Sequence, residues 1–529
     1  MANGTMVFTI PTKSPLAKLV LGMVVLGIFG WFVYRAETDY FADHMSKIPL
    51  FGTESAILAQ PSNPDYEFQL GNYWLVAGQQ PELALPHFER AVRLNPYGGR
   101  YYGQLAMAYQ QMGNADRAND AIGHALSVDP NTPELLWEAA NIYAFLGDRE
   151  HASAIVHRYA LADPDQVPLA AQLAWRTAHD AQDILENVLP RGAHADLSLL
   201  TVLVRSVDPT ASAKIKILDT DPNDYFVHNL ALVASRVESP ADSAGAETKG
   251  IDLVAAREKA REEMLRLIAE KTGRDLMKTE DELQSNRERL TRDQYVQNQA
   301  EKRQRVLDNK DVYAAAAFAW GHLMAQPEAF DFRLGLPYVQ MLVDADLDDA
   351  ATHAWQLLVS REKRLSSWNA TGNLLKNASF EYEILNGGLD WQYTSSDLYR
   401  LAIDHRNANA GSSALLIRFN DKSVADAGIV QYVPVMPNTA YEFTGYMKAD
   451  SIEGATGPRF RIQDVDAQKP YFESNDIRGT TGWTKFAGDF KTSQTAHFVA
   501  VTIGRNPGNT LIRGSVWVDD LLLRPLQEN

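Results

Sequence analysis

The chain has 529 residues, 45% of them hydrophobic, and a formal net charge of −17. That is room for three or four domains at roughly 150 residues each, and the acidic balance counts against nucleic acid, which needs clustered Lys and Arg. With no cysteine, disulfides, thiolate catalysis and cysteine-ligated metals are excluded, while the compartment stays open.

Leu19–Tyr34 carries no charge. Residues 16–34 make a span long enough for a bilayer core of about 30 Å at about 1.5 Å per residue. Lys18 can snorkel, and Trp31 and Tyr34 stand where interfacial aromatics belong. The run is followed by Arg35-Ala36-Glu37-Thr38-Asp39, without a small-x-small cleavage pattern. The reading is a single-pass transmembrane signal-anchor; a cleaved signal peptide and a buried helix are its alternatives. Lys13 and Lys18 precede the span, and Glu37, Asp39 and Asp43 follow it. This favours a cytoplasmic tail at 1–15 and, in a bacterium, an inner-membrane protein with its bulk in the periplasm. Residues 35–64 read as a linker.

From 65 to 164 the sequence repeats. Pro96, Pro130 and Pro164 stand 34 residues apart, the length of a helix–turn–helix unit that must stack to bury its apolar faces. Ala84, Ala118 and Ala152 recur where helices approach closely. Gly78, Gly113 and Gly147 mark the turns, where glycine takes left-handed angles cheaply. Trp74, Tyr109 and Tyr143 precede those turns and fill the gap between units. The first unit carries one extra turn residue, within Gln79-Gln80-Pro81, and Tyr159 replaces a small residue in the third. In this register the segment resembles the tetratricopeptide repeat family. The resemblance implies an α-solenoid that binds a protein partner in its groove, with no enzymatic activity.

Residues 165–240 read as degenerate helical repeats, closing in a loop at 237–245. Residues 250–368 read as charged long helices and a helical extension, with a break near Thr272-Gly273. Helices are expected over Val312–Ala325 and Pro337–Val359, packed through Trp320 and Trp355. The carboxylates of the charged segment lack the Glu-x-x-His pairing of a bundle metal site.

After Trp368 the period changes to two, with turn residues recurring at Asn386-Gly387-Gly388, Asn409-Ala410-Gly411 and Pro437-Asn438. Strands are expected at Ala414–Phe419, Gly428–Val433, Tyr441–Lys448, Arg459–Val465, Thr484–Phe490, His497–Ile503 and Val516–Leu523. Such spacing predicts a β-sandwich or jelly roll over 372–526. The fold class is thus multidomain, α then β. Asn373-Leu374-Leu375-x-Asn377-x-Ser379-Phe380-Glu381 opens the module, and Trp391, Gly411-Ser412-Ser413, Gln431, Trp483 and Val516-Trp517-Val518-Asp519-Asp520 follow in order. This set resembles a carbohydrate-binding module of the family 4 and 9 type, in the galactose-binding-like superfamily.

That resemblance implies a structural calcium held by Glu381 and Asp519, with Asp520 a substitute; the other reading has Glu381 and Asp519 satisfying local backbone donors. It also places Trp391, Trp483, Tyr441 and Phe443 in the core. The glycan-binding candidates lie off this framework: Tyr399, Tyr432, Tyr446, Arg461, Gln463 and Tyr471. Arg459, Arg461 and Gln463 share one strand face, suited to a polar cleft floor. No GxSxG, GxxxxGK[ST] or HExxH motif occurs. The whole reads as a membrane-anchored, non-enzymatic scaffold for a protein partner and a polysaccharide, in exopolysaccharide or surface-polymer synthesis or export. The alternative is an assembly protein whose jelly roll packs on helices and binds no sugar. A cleft lined by Tyr446, Arg461 and Tyr471 would separate the two.

Overall fold

The computed structural model describes residues 15–208, 266–267, 270, 300–368, 372–465, 470–506 and 510–526. The tail before Pro15, the loop 237–245 and nearly all of the charged segment 250–299 lie outside the described residues. The chain forms two compact units. One runs to Gln166 and takes in Arg176–Ala178; the other holds Val167–Trp175 and the chain from His179 onward.

The first unit opens with α1 (Pro15–Ser46) and α2 (Phe51–Ala59). The apolar span begins α1 as expected, but the helix does not stop at Tyr34. No glycine or proline interrupts 35–46, and Ala42 packs with Ala56 and Tyr66. The segment read as a linker is therefore largely helical, because it has a small core of its own.

Three helix pairs follow. They are α3 (Pro64–Asn72) with α4 (Pro81–Leu94), α5 (Gly99–Gln111) with α6 (Ala115–Val128), and α7 (Pro133–Leu146) with α8 (Arg149–Ala162). Ala84, Ala118 and Ala152 are wholly buried, and Pro96, Pro130 and Pro164 each follow the end of the second helix. Gly113 and Gly147 take φ of +74° and +77°, the left-handed cap. Gly78 does not: its φ is −79°. There the extra residue is absorbed by a π turn over Tyr73–Ala77 and by Gln79 at φ +50°. Gly78 is instead needed for space, since a Cβ would stand 2.9 Å from the Trp74 carbonyl oxygen. Side chains join neighbouring units about one period apart. The Gln104 amide donates to Glu138 at 2.8 Å, and the Arg176 guanidinium donates to Asn141 at 2.9 Å.

The second unit begins with α9 (Val167–Ala178), whose last turn belongs to the first unit. It continues through α10 (Ala181–Asp183), α11 (Ala193–Val207), helical residues 300–308, α12 (Lys310–Ala325), α13 (Leu336–Asp344) and α14 (Asp348–Arg361). Trp320 and Trp355 are buried as expected. The run read as one helix over Pro337–Val359 is two, because Asp346 adopts φ +63° and turns the chain. Asp196 on α11 and His322 on α12 meet at 2.7 Å in the interior.

The sandwich has two five-stranded antiparallel sheets among the described residues. Its strands are β1 (Gln392–Tyr393), β2 (Tyr399–Asp404), β3 (Ala414–Val424), β4 (Asp426–Pro434), β5 (Ala440–Gly454), β6 (Arg459–Asp464), β7 (Pro470–Glu473), β8 (Gly479–Lys491), β9 (Phe498–Gly504) and β10 (Thr510–Pro525). The first sheet runs β1-β4-β9-β6-β7 and the second β2-β3-β10-β5-β8. All seven expected strands are present, and β1, β2 and β7 are additional short ones. Trp391, Tyr441 and Phe443 fill the core. Trp483 is only half-buried, because β8 is the edge of its sheet.

Helices and sandwich share the second unit, and their junction is well defined. The Gln392 amide donates to Gln340 on α13 at 2.6 Å, and buried His497 lies 3.4 Å from Asp348 at the start of α14. The Trp355 ring rests on Gly388, where a Cβ would come within 2.9 Å of it. The turn glycine thus also admits a tryptophan.

Candidate functional site

Alternation along the strands decides which candidates reach a surface. On β6, Phe460 and Ile462 point inward while Arg459, Arg461 and Gln463 point out, as the sequence suggested. Pairing through β9 aligns Tyr432, Ala500 and Gln463 in one row, and Val430, Thr502 and Arg461 in the next. The first sheet therefore gathers Tyr432, Arg461 and Gln463 on one outer face, separated by small residues. The arginines are already engaged. Arg461 pairs with Glu473 at 2.7 Å, and Arg459 lies 3.9 Å from Asp476.

The other three candidates do not join them. Tyr446 stands on β5 in the second sheet, beside Lys485 and Asp519 in register, so it faces away from Arg461. Tyr399 points into the core, where its hydroxyl donates to the Thr394 carbonyl at 3.1 Å. Tyr471 lies against the core, stacked on Phe490. Its hydroxyl donates to Asp464 at 2.8 Å and accepts from the Ser493 N–H at 3.0 Å. Burial, with Asp464 beside it, pushes that hydroxyl up to about 12. The expected cleft of Tyr446, Arg461 and Tyr471 does not form, since β5 and β6 belong to different sheets and β7 turns Tyr471 inward.

Part of the first sheet's outer face is also covered. α14 packs against β4, and Phe498 and Ala500 on β9 are buried. Burial, and the nearby charge of Asp344, raise the Tyr432 hydroxyl above its ordinary value.

Glu381 and Asp519 reach the same loop but do not meet as metal ligands. One oxygen of Glu381 accepts the N–H groups of Ser412 and Ser413 at 2.7 and 3.1 Å, and the other accepts the Ser412 hydroxyl. Asp519 accepts the N–H groups of Asn409 and Ala410 at 2.7 and 3.1 Å on one oxygen, and that of Asp520 on the other. All four oxygens thus face donors, and a cation would meet the positive ends of those dipoles. Asp520, at φ +53° in an irregularity of β10, lies beside the same loop, where its carboxylate faces the Asn409 side-chain amide at 3.4 Å. No group of three His, Cys, Asp or Glu side chains able to hold a metal occurs among the described residues. The residues present do not fit a calcium ion. They pin the 409–413 loop, where a Cβ on Gly411 would collide with Glu381.

Two features were missed in the sequence. One is Lys376, which occupies the unread place in Leu375-x-Asn377 and lines a pocket beside α14. A lysine between Leu375 and Asn377, in an unread place of the module's opening motif, was the available signal. The other is the lining of the repeat groove, a groove the sequence predicts without naming its residues. Gln110, Asn141, Phe145, Arg149 and Arg176 surround a depression of about 580 Å³ in the first unit. Phe145 is 68% exposed there. An aromatic ring and two guanidinium groups make a surface for an apolar segment bearing negative charge.

These elements define the class: tetratricopeptide-like helical repeats and an antiparallel sandwich of carbohydrate-module type in one chain. Residues 372–506 match the family model of a carbohydrate binding domain, and residues 99–132 match that of the tetratricopeptide repeat. Similar solved structures include one described as "CBM4 structure and function", at 16% identity over 29% of this chain and 99% of that one, TM-score 0.23. Others are the CBM22-1 xylan-binding domain of Paenibacillus barcinonensis Xyn10C (14%, 29% and 94%, 0.19) and a family 16 carbohydrate binding module (23%, 28% and 99%, 0.20). No curated protein matches the sequence.

Proposed function

We propose that the chain is a non-enzymatic scaffold of the bacterial inner membrane, anchored by α1 with its bulk in the periplasm. Its repeat groove holds a protein partner and its sandwich meets a glycan, in the synthesis or export of an exopolysaccharide or surface polymer. The observation that carries this reading is the pairing, in one chain, of a repeat unit whose groove is open with a sandwich matched to a carbohydrate binding domain. The exposed apolar length of α1 supports the anchor. Affinity capture from membranes with the full chain, paired with glycan-array binding, tests it. Recovery of no envelope protein together with binding to no glycan would reject it.

A second reading has its own support. The helices of the second unit cover part of the first sheet, through Gln340–Gln392 and Asp348–His497. In that reading the sandwich is an assembly element and binds no sugar. Glycan binding by the full chain separates the two.

A further inference from the structure

Where α14 crosses the sandwich it leaves a pocket of about 460 Å³, lined by none of the six glycan-binding candidates of the strands and their loops. Val359, Leu374 and Pro434, each partly exposed, give it an apolar wall, over the buried Trp355 and Leu389. Thr352 and Gln356, one turn apart on the same face of α14, add a hydroxyl and an amide. Lys376 completes it. The backbone of Lys376 is fixed at both ends by the buried Gln431 side chain, its N–H donating and its carbonyl accepting at 2.9 Å. The lysine therefore projects from a rigid point. No ion-pair partner stands beside its ammonium among the described residues, and burial lowers its pKa from the ordinary value. A half-desolvated cation without a counter-ion is costly, and a bound anion relieves that cost.

We infer that this pocket binds an acidic sugar, a uronic-acid-type residue of a glycan, whose carboxylate pairs with Lys376. The inference rests on the glycan reading of the sandwich and supplies its sugar class. A pyranose ring has an apolar C–H face for the Val359–Leu374–Pro434 wall, hydroxyls for Thr352 and Gln356, and a carboxylate for the ammonium. A neutral sugar leaves the charge unmet; an aliphatic anion leaves the hydroxyl and amide unmet. The volume falls within the roughly 300–1,000 Å³ of small-molecule sites, which suits a short oligosaccharide. Covering the sheet with helices thus builds a site at the junction, with α14 supplying half of it.

Calorimetric titration of the detergent-solubilised full chain with trigalacturonate tests the inference, with neutral galactotriose and laurate as comparison probes. The expected result is saturable binding of trigalacturonate, weakened at least about tenfold in Lys376→Met, which keeps the aliphatic stem but loses the charge. Val359→Trp, which fills the pocket, is expected to abolish binding. Should that larger side chain unfold the protein, Lys376→Met decides alone. Trigalacturonate binding unchanged in Lys376→Met overturns the inference, as does Lys376-dependent binding of laurate with none of the acidic sugar. Galactotriose binding as tightly as trigalacturonate overturns the inference while the glycan reading stands. Binding of neither sugar overturns the inference, and glycan-array binding by the full chain then decides the glycan reading.

Discussion

Asp390 is wholly buried in the loop before β1, where its carboxylate accepts the Leu385 N–H at 2.8 Å. Burial pushes its carboxyl up to about 7, against about 3.9 for an unfolded aspartate. Between those values the folded chain holds a proton that the unfolded chain has released. The contribution is therefore full below about pH 4 and lost as pH rises through about 7. Thermal melting should show Tm falling from pH 5 to pH 8, with a smaller fall in Asp390→Asn; parallel pH profiles would contradict the assignment. Gly388 sits nearby at φ +64° with the Trp355 ring over it, so Gly388→Ala is expected to cost about 1–3 kcal/mol, read by chemical denaturation. Glu381 and Asp519 are held by the donors of the 409–413 loop, and excess chelator is expected to leave Tm unchanged. Glu381 and Asp519 were recognisable from the sequence as paired carboxylates by position. Whether they face a metal or an amide depends on where Asn409–Ser413 runs, and that loop is placed by strands remote in sequence.

Periodicity made the elements legible. A period of 34 marked out the helix pairs, and alternation marked out the seven long strands, because both patterns are set by which faces must be buried. Length and endings were less legible. α1 runs past its apolar span because Ala42 finds Ala56 and Tyr66, and α13 ends at a turn whose left-handed residue, Asp346, no local signal announced. Among the glycan candidates chosen by residue type, Tyr399 lies inside the core, and Tyr446 lies on the outer face of the sheet opposite Arg461. Among the helices, Ala118→Leu should overpack the α5–α6 contact and lower stability by about 1–3 kcal/mol, measured by urea unfolding. Arg176→Glu should reverse charge in the groove and weaken capture of an acidic partner by about tenfold or more. Unaltered recovery would move the partner site off this groove.

The whole molecule joins two units, one of helix pairs with an open groove and one of a sandwich dressed with helices. The junction between α14 and the sandwich was invisible in the sequence, because it depends on helices and strands that no local pattern brings together. It covers a sheet face that could otherwise be open, and it adds a lysine-bearing pocket. Membrane attachment is the simplest property to check at this scale. The full chain should stay with the membrane after alkaline carbonate extraction, and a chain lacking residues 1–34 should be released; retention of both would remove α1 as the anchor. Glycan-array binding by the detergent-solubilised full chain tests the sugar-binding scaffold most directly. The predicted result is saturable binding to at least one polysaccharide class, with acidic polymers foremost. Binding to none would contradict it and leave the sandwich as an assembly element.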